Sequence, residues 1–359
     1  MTYNKIPPIQ LLKWGGHVKK GAMAQHLLQT TISRSLRDIN DGPKRTIRNL
    51  VELGENFSVG RSQLDFFKTI HSMLKSENSA YYTLWETLTR ETDHDSLKTF
   101  GINVGYNGCT TGVKALRELS KKHCCGIPSV LTVMYDGSKM DKNGVDNIVR
   151  QGETLGIFTY IISHHGGELE ALAPVFGGHS DSGFVILANG SSLCDQTVFS
   201  LTKHKNVMLS VSADESSFEE VCKGLRAQHI LFCVHTKYDD VKSDEILSGS
   251  WVEKVEPFVS TLALLIPDDE VSESTIAKVG AFAYSCRMEM RYPLILMDYR
   301  LDVAEMNRAI SRNKCSATFD TDGQLITESG KTLDACLNIV NCSLLEIFRK
   351  GLAIDREFI

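Results

Sequence analysis

The sequence predicts an α/β protein: a partial or complete (β/α) barrel over residues 123–312, an all-helical region before it (1–122), and a hairpin and helix after it (313–359). Three observations predict this. Seven apolar, β-rich runs alternate with helical segments from Ile127 onward, the signature of a parallel sheet covered by helices. Residues 1–122 show apolar residues recurring at three and four positions and contain no convincing strand. No strand run is followed by GxGxxG, which counts against the alternative, an open doubly wound sheet.

The elements follow in order. Helical patterns run through "AMAQHLLQTTISRSLRDI", "GPKRTIRNLVELGENF", "RSQLDFFKTIHSML", "SAYYTLWETLTRE" and "TTGVKALRELSKKH", with boundaries expected at Gly42-Pro43 and Asp93-His94-Asp95. The strand runs are "VLTVMY", "IFTYIIS", "GFVILANG", "VMLSVSAD", "HILFCVHT", "TLALLIPDD" and "LILMDYRLD". Helices are expected near 143–155, 168–176, 192–204, 216–226, 243–255, 273–288 and 302–311. "CSATFDTDGQLITES" reads as a hairpin around Asp322-Gly323, and "NCSLLEIFRKGL" as a closing helix.

Composition narrows the class. The chain has 359 residues, 42% of them hydrophobic and 23% charged, which supports a sizeable core and excludes wholesale disorder. No apolar run approaches the ~18 residues needed to span a bilayer, and "MTYNKIPPIQ" lacks the apolar core of a signal peptide. A cytoplasmic location is expected. The ten cysteines (109, 124, 125, 194, 222, 233, 286, 315, 336 and 342) show no Cys-x-x-Cys spacing and read mainly as small buried hydrophobes in a reducing compartment. Residues 1–50 hold nine Lys/Arg and two Asp/Glu, a balance of +7 that leaves −12 for the rest of a chain of net charge −5. The basic helices "LLKWGGHVKKGAMAQHLL" and "KRTIRNLVEL" fit an anionic membrane surface, a partner protein or the protein's own body. The absence of interleaved aromatic and basic repeats argues against nucleic acid as a partner.

An ordered series of segments gives the chain a resemblance. "SENSAYYTLWETLTRETDHDSLKTFGINVGYNGCTTG", "CGIPSVLTVMYD", "NIVRQGETLGIFTYIIS", "GFVILANGSSL", "NVMLSVSAD" and "CSATFDTDGQL…NCSLLEIFRKG" resemble radical SAM proteins with a helical N-terminal extension, among them relatives of the hopanoid-synthesis radical SAM enzyme. The similarity runs over roughly residues 75–350, and the series carries it rather than any single motif. It implies a barrel of the radical SAM type. In that family a long loop after the first strand carries Cys-x-x-x-Cys-x-x-Cys, whose thiolates hold a [4Fe–4S] cluster that binds S-adenosylmethionine. Here Tyr135-Asp136 runs through "GSKMDKNG" directly into a helix, and Asp136, Ser138 and Lys139 do not replace three thiolates. Where the family has Gly-Gly-Glu-Pro, this chain reads Ser163-His164-His165-Gly166-Gly167-Glu168, an insertion or a replacement that the sequence leaves open. The places flanking the final hairpin that often hold cysteines have about Ala309 and Glu328. The resemblance with these departures implies a degenerate barrel that serves as a non-catalytic partner of an active radical SAM enzyme or its substrate, with no cofactor and no retained S-adenosylmethionine site expected.

In parallel barrels ligands sit at the C-terminal ends of the strands. The candidate ligand-binding residues there are Asp136, Ser163, His164, His165, Glu168, Asn189, His235 and Asp298, with Asp214 and Asp268-Asp269 on the same rim. No catalytic residue is assigned. His164, His165 and Glu168 have ligand chemistry for a single divalent metal in a rebuilt site, although adjacent strand residues point to opposite faces. An S-adenosylmethionine-like ligand pocket is the third alternative. Asn189-Gly190 also reads as a strand exit in which Asn bonds its own backbone. Asp268-Asp269 reads as a helix cap, His179 and Asp181 as a surface turn, and Asp298 as a buried carboxylate paired with Arg291 or Arg300.

Overall fold

The computed structural model describes residues 17–37, 42–58, 61–259, 261–313 and 315–354. The elements before the sheet are all helical: α1 (His17–Arg37), α2 (Pro43–Phe57), α3 (Arg61–Met73), α4 (Ala80–Glu91), α5 (His94–Gly101) and α6 (Gly112–His123). The boundaries expected at Gly42-Pro43 and Asp93 hold: Pro43 opens α2, and the Asp93 side chain caps α5 by accepting from Ser96 N. A π-helical stretch, Ile102–Thr111, joins α5 to α6. There Asn103 and Asn107 donate to the carbonyls of Ser180, Ser182 and Asp181, fastening this helix to the loop that leads into the third strand. Gly112 and Gly156 meet backbone to backbone, and a Cβ on Gly112 would lie 2.2 Å from the Gly156 carbonyl oxygen.

The sheet then forms from β1 (Val130–Asp136), β2 (Thr159–Gly166), β3 (Gly183–Ala188), β4 (Val207–Ser212), β5 (Phe232–Tyr238), β6 (Leu262–Pro267), β7 (Ile295–Asp298), β8 (Thr318–Phe319), β9 (Leu325–Thr327) and β10 (Gly330–Lys331). The intervening helices are α7 (Lys142–Leu155), α8 (Ala173–Gly178), α9 (Asp195–Thr202), α10 (Phe218–Ala227), α11 (Ser243–Leu247), α12 (Ser250–Val255), α13 (Glu273–Met288) and α14 (Tyr299–Ser311), and α15 (Leu344–Gly351) closes the chain. Strands β1 to β7 are parallel neighbours in sequence order. β8 joins β1 in parallel on its other side and carries the antiparallel β9 and β10. The sheet is curled but open, with β7 and β10 at its ends, so the barrel is a partial one.

Three differences from the expected elements have local causes. The strand "LILMDYRLD" stops at Asp298, because the Asp298 side chain caps α14 by accepting from Leu301 N. The helix expected over 243–255 is two short helices, broken at Ser248-Gly249. The segment 168–176 divides into a 3-10 turn at Leu169–Leu172 and α8, whose start is set by Pro174.

Alternation along the strands divides the core in two. One face packs Leu131, Val133, Tyr160, Ile162, Phe184, Leu209 and Val234 against the helices that connect the strands. The opposite face, inside the curl, packs Val130, Ile161, Leu187, Met208, Cys233 and Leu264 against Trp85 and Leu88 of α4, Leu97 and Phe100 of α5, and Val303 and Met306 of α14. Helix α14 therefore lies inside the curl and ties β7 back to the start of β1. Asn307 Oδ1 accepts from Ser129 N (2.7 Å) and Val130 N (3.0 Å), and the Tyr299 and Thr132 hydroxyls are 2.7 Å apart. The N-terminal helices thus plug the base of the half-barrel, and the strand C-termini form its mouth.

A candidate functional site at the barrel mouth

The turn after β1 is short and satisfied by its own atoms. Asp136 Oδ1 accepts from Ser138 N (2.9 Å) and Ser138 Oγ (2.7 Å), and these bonds hold the carboxyl below the usual carboxylate range. The Asp136 carbonyl accepts from Lys139 N and Met140 N, and Gly137 N donates to the Gly166 carbonyl. Asp141 then caps α7 by accepting from Gly144 N at 2.9 Å. Residues 137–141 are the whole connection.

His164 and His165 are part of β2, which continues to Gly166 instead of stopping at Ser163. The pairing with β1 slips by one residue there, leaving His165 as a bulge between His164, opposite Tyr135, and Gly166, opposite Asp136, and the two rings take different partners. His164 stacks on the buried Tyr135 ring (centroids 6.4 Å apart), with Nε2 3.1 Å from the Gly167 carbonyl. His165 points inside the curl, with Nε2 3.1 Å from Ser163 Oγ. Glu168 is exposed and makes no side-chain cap to the turn that follows it. The expected metal set of His164, His165 and Glu168 is therefore not brought together. Among the described residues no group of three His, Cys, Asp or Glu side chains is gathered to hold an ion.

The residues that do come together lie on the inner face of β2, β4 and β5. His235 is 6% exposed, and its Nδ1 is 3.0 Å from Ser210 Oγ. Burial pushes its imidazole down to about 4, against the pull of the Asp214 carboxylate. His165 is also lowered, by burial first and then by the Lys237 ammonium across the curl. Lys237, two residues after His235, shares that face and is exposed. Asp214 sits at the rim with its charge answered. Burial opposes its ionisation, but bonds from Lys242 Nζ, Thr236 Oγ1 (2.6 Å) and Lys237 N (3.0 Å) hold it below the usual range. Lys237 was not among the sequence candidates. Its period-two spacing from His235 on an apolar strand was the signal available.

Other expected roles change. Asp298 is fully buried, but its partner is neither Arg291 nor Arg300. It accepts from Tyr238 Oη at 2.8 Å and from Leu301 N at 2.8 Å, while Arg287 pairs with Asp302 at 2.6 Å. Asn189 is exposed and shows no side-chain bond to its own backbone. Gly190 sits close to side chains: a Cβ there would lie 2.9 Å from Ser217 Oγ, which would have to turn away. Asp268 and Asp269 do not cap α13; Ser272 does. His179 is buried between Glu153 (2.9 Å) and Asp146 (3.3 Å) and is not part of an exposed turn. Of the ten cysteines, five are buried and only Cys194 and Cys336 are exposed. Residues 1–16 of the basic arm lie outside the described residues, whereas Lys44 and Arg48 of α2 turn onto Glu77 and Tyr82 of the body. No described helix is long and apolar enough to cross a membrane.

No family model and no curated protein matches the chain. Among solved structures it is similar to Streptococcus suis SuiB bound to S-adenosylmethionine, at 12% identity and a TM-score of 0.48, over 67% of this chain and 68% of that one. SuiB bound to the precursor peptide SuiA gives 12% identity and a TM-score of 0.46, over 66% and 68%.

Proposed function

We propose that the protein is a degenerate radical-SAM-like barrel that works by binding, as a non-catalytic partner of an active radical SAM enzyme or its substrate. The observation that carries this reading is the connection from β1 to α7. The resemblance calls for a long loop with three thiolates, and the chain has residues 137–141, closed on Asp136 and free of cysteine. A carboxylate, a hydroxyl and an amine do not fit the ligand set of a [4Fe–4S] cluster, which thiolates hold. The thiol of the inner-face core, Cys233, is fully buried and pushed up to about 12 by that burial, the opposite of what a ligand thiolate needs.

The test has two parts. Protein purified without oxygen is assayed for iron and acid-labile sulfide, and the tagged full chain is captured from native lysate of its source cells under mild crosslinking. The expected result is no stoichiometric iron and sulfide, together with a radical SAM enzyme or its substrate in the captured material. Four irons and four sulfides per chain, or a chain that is strictly monomeric in lysate, would refute the reading.

A further inference from the structure

A cavity of about 280 Å³ opens at the base of the half-barrel, at the end opposite the mouth, between α8 and the turn that joins α9 to β4. Phe176, Ser180 and the consecutive residues Lys203, His204, Lys205 and Asn206 are on its walls, and no carboxylate is. Asn206 is 2% exposed, and its amide is fixed in one orientation: Nδ2 donates to the carbonyls of Phe176, His179 and Ser182, each at 3.0 Å. Flipped, the amide would set its oxygen against three other oxygens. Oδ1 is therefore held as an acceptor, and it is fully buried with no donor among the described residues. Buried polar atoms are generally bonded, so an orphaned oxygen on a residue lining a cavity calls for a donor from outside the chain. The lysines have a simpler part. Lys203 is exposed and is the C-cap of α9, where an ammonium suits the helix dipole, and Lys205 meets Asp93 at 3.1 Å. They nevertheless set the sign of the charge around the cavity. Burial first, and then Lys203, hold the His204 imidazole below its ordinary range, so the ring brings a hydrogen-bonding group without a charge. A ligand here has to be negative for the ammoniums and also has to donate to Asn206. A cation, or an oxyanion without a proton, meets only one of these demands.

We propose that this cavity binds a hydrogen phosphate group carried by a small phosphate monoester, with the P–OH donating to Asn206 Oδ1, the other phosphoryl oxygens accepting from Lys203 and Lys205, and the organic part against His204 and Phe176. A monoester keeps that proton on about half of its molecules near pH 6. The volume lies at the lower end of ligand cavities, roughly 300 Å³, which suits a monoester of modest size. Sulfate has the same shape but no proton, and it would set a lone pair against Oδ1. The inference does not rest on the loss of the cluster. Iron and sulfide in the protein would refute the function proposed above and leave this cavity to its own test.

That test titrates inorganic phosphate, phenyl phosphate and sulfate into the full chain at about pH 6, followed by NMR of the Asn206 side-chain amide and the His204 ring. The expected result is a saturable shift of both with phenyl phosphate, tighter than with inorganic phosphate. Sulfate should bind about tenfold or more weakly than either, which reads the Asn206 acceptor without disturbing the three carbonyls it holds. Lys203→Met, at an exposed position, should weaken phenyl phosphate about tenfold through loss of one charge-assisted bond, and Lys203→Arg should retain it. Tighter binding of inorganic phosphate than of phenyl phosphate would overturn the monoester as the ligand. No saturable shift with either phosphate, sulfate bound as tightly as they are, or binding unchanged in Lys203→Met would overturn the proposal as a whole.

Discussion

Replacing Asp298 tests whether this mouth residue is part of the scaffold or of a site. Its side chain is fully buried, caps α14 through Leu301 N, and accepts the hydroxyl of the equally buried Tyr238, both at 2.8 Å. Asp298→Ala removes an N-cap, which costs about 1 kcal/mol. It also strands the Tyr238 hydroxyl, which adds about 1–3 kcal/mol. Against this stands relief of a buried carboxylate whose pKa burial has raised. The expected net loss is about 2–3 kcal/mol. Asp298→Asn keeps the cap acceptor, removes the charge and lets the Tyr238 oxygen accept, so it should lie within about 1 kcal/mol of wild type. The sign of the pH effect separates the two. With a raised folded pKa, the native state binds more protons than the unfolded one from the unfolded carboxyl value up to the raised value. Stability contributed by Asp298 therefore falls as pH rises through that window, and the Asn variant loses this slope. Urea unfolding curves across pH, with Tyr238→Phe added to complete a double-mutant cycle, measure all of this. An Asn variant as unstable as the Ala variant, or no coupling between Tyr238 and Asp298, would refute the reasoning.

Two further outcomes follow from the packing. His235 should stay neutral until about pH 4, whereas an unfolded imidazole takes up its proton near 6.5. Between these values the unfolded state binds more protons, so stability should rise by about 3 kcal/mol from pH 4 to 6.5. His235→Gln should flatten that part of the curve, and a wild-type curve already flat there would refute the assignment. Gly112→Ala drives a Cβ to 2.2 Å from the Gly156 carbonyl oxygen and should cost about 1–3 kcal/mol in thermal or urea melts. Gly105→Ala, in the π-helical stretch just before α6 with nothing within 4 Å, should be neutral or stabilising by about 0.5–1 kcal/mol. Equal effects of the two substitutions would refute the close-contact account.

Periodicity alone carries the fold class in this protein. Runs such as Val130–Tyr135 and Val207–Ser212 are apolar at nearly every position because both faces of a parallel strand are buried, and a reader of the sequence can see that. The caps at Asp93 and the turn at Asp322-Gly323 are also visible, since a short side chain bonds its own neighbours and needs no tertiary partner. The shortened turn after β1 is legible too, being a matter of chain length. Three things depended on tertiary structure. Whether His164 and His165 share a site turns on how far β2 extends: pairing with Tyr135 and Asp136 of β1 carries that strand to Gly166 with a one-residue slip at His165, and the two rings settle on Tyr135 and Ser163 respectively. The partner of Asp298 is Tyr238, 60 residues earlier, and no local pattern chooses it over Arg291 or Arg300. The mouth itself, with His165 and Lys237 on one surface, exists because the curl of the sheet brings β2 and β5 to face each other across two intervening strands. Sequence fixes which side chains alternate along a strand; only the curvature of the assembled sheet decides which of them meet.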